Sequence, residues 1–259
     1  MSKEIEIWNK VLSAAIQIPG VKVNRDSFLC EKLSIYCAGS QMFLAIEDGT
    51  IGNVDEKILD EIAKECIKSH TLQVTTLSTA LGMPGGLAIL GSIPGDLAQY
   101  YYHVFVLSQK LAYIYGYPDL CDENGAFTES AKNLLTTFVG VMGGVAAANK
   151  VIQEVAEQAQ KQVVKRLPRY ALTKGILYPL IKQIAKWIGV SITKQSFARG
   201  VSKFVPILGG VVSGGLTYYT FKPQAKKLMA NLKTTMYLAY ENKKKEGFDS
   251  AEEVEDVNS

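Results

Sequence analysis

Apolar residues recur at helical spacing through nearly the whole chain, and no stretch shows the strict alternation that a half-buried strand requires. Turn signals of the hairpin type are also missing, since no Asn-Gly or Asp-Gly joins paired β-branched runs. What remains is a helix-forming pattern punctuated by proline and glycine. The prediction is an all-α fold: one compact multi-helix domain over residues 1–246, followed by an acidic disordered tail at 247–259. With 47% hydrophobic and 20% charged residues, the composition is that of a globular chain and excludes disorder or a collagen-like repeat.

The punctuation places the elements. Glu4–Gln17 carries Ile7, Trp8, Val11, Leu12 and Ala15 on one stripe and ends at Pro19–Gly20. Asp26 is the expected N-cap of a helix through Phe28, Leu29, Leu33 and Tyr36, and Asp55 begins a long helix with Ile58, Ile62, Cys66 and Ile67 that reaches about Leu81. A further helix is expected from Gly95 to Tyr115, stopped by Gly116 in a left-handed cap with Pro118 beyond. Thr128–Glu129 opens one long helix, apolar from Leu134 to Ala148 and polar from Asn149 to Lys165. Tyr170–Val190 reads as an amphipathic helix kinked by Pro179, followed by a shorter helix at Thr193–Phe204. Two more start at Pro206 and Pro223, the last ending near Lys245. Gly140 with Gly144, and Gly209–Gly210 with Gly214–Gly215, lie near helical repeat and predict closely packed, glycine-rich central helices.

The net charge of +3 hides a strong asymmetry. Residues 150–233 hold 15 Lys/Arg against 2 Asp/Glu, whereas residues 1–66 hold 7 against 11. An excess of this size either seeks phosphate on a partner or is met by the acidic N-terminal third of the same chain. On Tyr170–Val190, Lys174, Lys182 and Lys186 share one edge, and Leu172, Ile176, Leu177, Leu180, Ile181, Ile184, Trp187 and Ile188 fill the other. A helix with one basic and one greasy face suits an anionic membrane surface. The candidate membrane- or anion-binding residues are therefore Lys165, Arg166, Arg169, Lys174, Lys182, Lys186 and Trp187.

Three segments approach a membrane span. Leu77–Ala98 is interrupted by two Pro, several Gly and Asp96. Leu134–Ala148 falls short of the ~20 residues a span needs, and Phe204–Phe221 sits at the lower limit. A peripheral state is the expectation.

Recognisable chemistry is sparse. No Gly-Lys-Ser/Thr phosphate loop and no strand-borne dinucleotide fingerprint occur. The two histidines and the spacing of Cys30 and Cys37 offer no zinc pattern, so no metal or cofactor is expected, and all four cysteines read as small buried hydrophobes. Asp96, Gln99, Tyr100 and His103 form a candidate polar pocket, because Asp96 and His103 are seven residues apart and share a helix face. That rise is about 10.5 Å, so the two cannot touch without a group between them, and Asp96 suits the helix start for structural reasons. Nucleic acid is disfavoured as a partner, because the basic block lacks aromatics arranged for stacking. Self-association is left open.

The segments IPGVKVNRDSFL, TLSTALGMPGGLAILGSIPGDLAQYYYH, QKLAYIYGYPDL and SFARGVSKFVPILGGVVSGGLTYYTFKPQAKKL together resemble the EcsC family of bacterial proteins, over roughly Trp8 to Leu232. The resemblance implies a helical, membrane-associated protein of the bacterial cytoplasm and inner membrane, with a membrane transporter-type complex as a possible partner. It supplies no catalytic residues. Thr217 stands where relatives often have Asn. The combined expectation is a non-enzymatic protein peripheral to the inner membrane. The alternative is a small-molecule binder or enzyme using the Asp96, His103 and tyrosine face.

Overall fold

A computed structural model describes residues 2–37, 39–77, 95–162, 166–167, 172, 177–201 and 214–257. Among them the chain forms helices α1 (Lys3–Ile16), α2 (Arg25–Leu33), α3 (Ser40–Glu47), α4 (Glu56–Leu77), α5 (Gly95–Ile114), α6 (Glu129–Gly143), α7 (Ala146–Gln162), α8 (Leu177–Val201) and α9 (Gly214–Val257). Only isolated β-bridges accompany them, and the fold is all-α.

Helix α5 is the hub. It packs against α1, α2, α4, α6 and α9. Its residues Val104–Gln109 and Leu111–Ile114 are all buried, the pattern of a helix with no solvent face. Outside it, α1 lies on α8, α4 on α9, and α6, α7, α8 and α9 pack on one another. The α1 stripe of Trp8, Val11, Leu12 and Ala15 is buried as its spacing requires, and the Trp8 indole donates to Thr136 Oγ1 of α6 at 3.0 Å.

Several caps follow the sequence. Asp55 accepts from the Lys57 N–H at 2.7 Å and Thr128 from the Ala131 N–H at 3.1 Å. Gly116 takes φ 80° and ends α5. Other boundaries differ. The cap of α2 is Asn24, which accepts from Ser27 N at 2.8 Å, while Asp26 pairs with Arg25. Helix α3 was not anticipated. The helix opened by Thr128 is two helices: Gly144, at φ 79°, turns the chain, with Val145 N–H bonded to the Gly140 carbonyl at 2.8 Å. The shorter helix expected at Thr193 continues α8 to Val201, and Pro179 sits in the first turn of α8, where its missing N–H costs nothing.

Helix α9 passes through Pro223 without a break. Phe221, Ala225, Leu228, Leu232 and Met236 form one buried stripe through this point, and that packing outweighs the ~3 kcal/mol an interior proline costs. Where a disordered tail was expected, α9 runs on to Val257. Its Ala251, Glu252, Glu253 and Glu255 are good helix formers.

Glycines mediate the closest approaches of α8. A Cβ on Gly140 of α6 would meet Ile184 Cγ2 at 2.6 Å, and one on Gly143 would meet the Trp187 ring at 2.5 Å. A Cβ on Gly189 would collide with the backbone carbonyl of Glu4 in α1. The expected helix at Pro206 and the Gly209–Gly210 pair lie outside the described residues. Gly189→Ala forces two backbones apart, whereas Gly140→Ala displaces only a side chain. The expectation for Gly189→Ala is a loss of about 3 kcal/mol in urea denaturation, the upper range for overpacking, with a clearly smaller loss for Gly140→Ala.

Candidate functional site

The aliphatic face of α8 is spent on the core. Ile181, Ile184, Ala185, Ile188 and Ile192 are buried against α1, α6 and α7. The expectation that this greasy face meets a bilayer is therefore corrected: a helix amphipathic enough to lie on lipid is equally suited to lie on other helices, and here it does.

What α8 leaves outside is its basic edge. Lys182 and Lys186 are exposed, and two aromatics flank them, Tyr178 at 37% exposure and Trp187 at 42%. The Lys182 ammonium stands 4.5 Å from the Tyr178 ring centroid. Trp187 is not on the aliphatic face: one edge of its ring covers Gly143 while the rest meets solvent. Arg166 is exposed and lies 3.7 Å from Glu123, and its backbone bridges to Asp119. Lys165, Arg169 and Lys174 lie outside the described residues. Tyr178 was missed in sequence, although it falls one helical turn before Lys182.

Part of the basic block is neutralised within the fold. Lys233 reaches Glu56 at 2.5 Å and Asp60 at 2.8 Å, joining α9 to the acidic start of α4. Lys186 acts on Glu4 of α1.

The candidate polar pocket does not converge. Asp96 lies in the first turn of α5, and its side chain is outside the described part. Gln99 is half-buried. Tyr100 turns to α9, donating to Gln224 Oε1 at 3.1 Å and packing edge-on against Phe221. His103 turns to α4, where its ring centroid lies 5.8 Å from that of His70, and Tyr102 covers another side at 5.0 Å. Burial and Lys110 hold His103 down at about 4; burial, Lys110 and His103 hold His70 down at about 3. No residue spacing announces this pairing, because it joins two different helices.

The later tyrosines are structural. Tyr113 donates to Asp119 Oδ1 at 3.0 Å, Tyr115 to Asp60 Oδ1 at 2.9 Å, and Tyr117 bonds Thr235 Oγ1 at 2.7 Å. All three rings are fully buried, so they tie α5 and the turn after it to α4 and α9. Gln109, also missed in sequence, donates to the Val21 carbonyl at 2.7 Å and accepts from Val23 N at 3.1 Å, pinning the α1–α2 connection. Cys37, Cys66 and Cys121 are buried, but Cys30 is exposed.

A second exposed apolar group stands at the α2–α3 turn, with Ile35 at 78% and Phe43 at 63% beside Tyr36 and Leu44. Its flanks carry Glu31, Glu47 and Asp48, the wrong sign for anionic lipid. Among the described residues, no helix is long and apolar enough to cross a membrane. No family model, curated protein or solved structure matches the chain.

Tyr115→Phe removes a buried hydrogen bond to a carboxylate. The expected cost is about 1–2 kcal/mol in urea denaturation, because Tyr115 holds α4 against the end of α5.

Proposed function

We propose that the chain is a non-enzymatic helical protein that docks peripherally on an anionic membrane surface through the outer edge of α8. The observation that carries this reading is the grouping of Lys182 and Lys186 with half-exposed Tyr178 and Trp187 on that edge. Lysines contribute long-range attraction to headgroup phosphate, and tyrosine and tryptophan rings favour the headgroup level, where one end of the ring is wet and the other is not. Contact is shallow on this reading, since the aliphatic side chains of α8 remain in the core. Exposed Arg166 is a further candidate, and Lys165, Arg169 and Lys174 remain candidates from sequence alone, outside the described residues. The resemblance to the EcsC family supports a bacterial setting at the cytoplasmic face of the inner membrane, with a transporter-type complex as the other docking surface.

The small-molecule reading has less support, because Tyr100 and His103 of the candidate pocket engage different helices.

Co-sedimentation with vesicles tests the proposal. Binding is expected to phosphatidylglycerol-containing vesicles and not to pure phosphatidylcholine, and to fall as salt rises. Lys182→Ala with Lys186→Ala removes two charges worth about 1 kcal/mol each at the surface, so affinity drops about thirtyfold. Equal binding to neutral vesicles, insensitive to salt and to the two substitutions, refutes the reading.

A further inference from the structure

We propose that the contact between His70 and His103 is an acid-sensitive latch that holds the C-terminal half of α4 against α5.

The geometry carries the inference. His70 and His103 are 3% and 4% exposed, and their rings meet edge to face. The Lys110 ammonium lies 3.2 Å from His70 Nε2. An ammonium can only donate, so Nε2 accepts and the His70 proton sits on Nδ1. That Nδ1, and both ring nitrogens of His103, have no hydrogen-bond partner among the described residues. The site thus holds one cation and two neutral rings. A proton on either imidazole adds a second positive charge within a few ångströms of the first, in a place where water cannot screen it.

The surroundings offer no relief. On α4, Cys66 lies one turn before His70, and burial pushes its thiol up to about 11, so it supplies no counter-charge. On α5, Lys110 and the Tyr102 ring face the pair. From α2 comes Phe28, under Lys110. Among the described residues, no carboxylate of α1, α2, α6 or α9 acts on either ring; Lys110 acts on both, and His103 on His70. Burial therefore keeps both imidazoles neutral while α4 is seated, at about 3 and about 4.

The sign follows from linkage. Each histidine titrates below its free value when α4 is seated, so the seated state is favoured above pH 6.5 and loses ground as pH falls below it. One unit below the free value, each histidine favours the open state about elevenfold, and the pair about a hundredfold. The two ends of α4 differ in their hold. Near its start, α4 is held by Lys233, which pairs with Glu56 and Asp60, and by Tyr115, which donates to Asp60, contacts in which neither histidine takes part. Acid therefore releases the His70 end while the Asp60 end stays seated, and exposes apolar surface such as Ile67 and Val74.

Amide hydrogen exchange at pH 7.5 and 5.5, corrected for intrinsic rates, tests the latch on the whole chain. Protection of amides 67–77 is expected to fall about a hundredfold at pH 5.5, with α6 and α7 unchanged, and the effect is expected to vanish in the His70→Gln/His103→Phe double variant. No change in the wild-type protein, an equal change in every helix, or the same change in the double variant overturns the proposal. Should the double variant fail to fold, the chain's two histidines give the decisive ring-proton signals in the wild-type protein. Neutral shifts in the folded population at pH 5.5 support the latch, and charged imidazoles in that population overturn it.

Discussion

Helix α5 has no face to give to water, and that single constraint organises its neighbours. Every polar group it carries must be met inside the protein or remain unmet at a cost of about 1–3 kcal/mol. Gln109 is met by the backbone of the α1–α2 connection, and Tyr113, Tyr115 and Tyr117 by Asp119, Asp60 and Thr235. Each of these bonds also fixes a neighbouring element in place. The tyrosines after Leu111 thus serve the fold, each hydroxyl spent on a bond inside the protein. His103 and Ser108 are exceptions on this helix, buried like the others but with neither the ring nitrogens nor the Ser108 hydroxyl bonded among the described residues.

The local signals in the sequence proved strongest where a backbone group had a single solution. Asp55 and Thr128 cap their helices and Gly116 ends α5, because free N–H groups and a left-handed turn leave few residue choices. They were weaker where two residues could do the same job. Asn24 and Asp26 can both cap α2, and the choice falls to Asn24 once Arg25 turns inward and engages Asp26. Proline misled twice, since Pro223 is carried by the buried stripe of α9 and Pro179 falls where its lost donor is harmless. The candidate polar pocket was the least legible part. A helical wheel puts Asp96 and His103 on one face, but it says nothing of which helix lies opposite, and the partner of His103 is His70 of α4.

The same limit applies to α8. An amphipathic pattern specifies that one face leaves water without specifying what it enters. The depth of the contact with α1 decides the matter: Gly189 meets the Glu4 carbonyl so closely that no lipid tail and no side chain fits between. With the aliphatic stripe committed, the features of α8 still available to a partner among the described side chains are those a hydropathy reading ranks low, two lysines and two rings with polar tips.

The basic block can now be divided by where its charge goes. Lys233 is enclosed by Glu56, Asp60 and the hydroxyl that Tyr115 gives to Asp60, so its charge serves to join α9 to α4. Arg166 lies 3.7 Å from exposed Glu123, and Lys186 acts on Glu4 from a distance, both at the surface where solvent screening makes such attractions weak. Surface charges of this kind remain open to a stronger anionic partner, since releasing them from one carboxylate forfeits little. The acidic N-terminal third therefore absorbs the part of the block that is packed against α4, and does not silence the part carried on α8. Internal neutralisation thus falls chiefly on Lys233 of α9, while Lys182 of α8 stays exposed beside the Tyr178 ring.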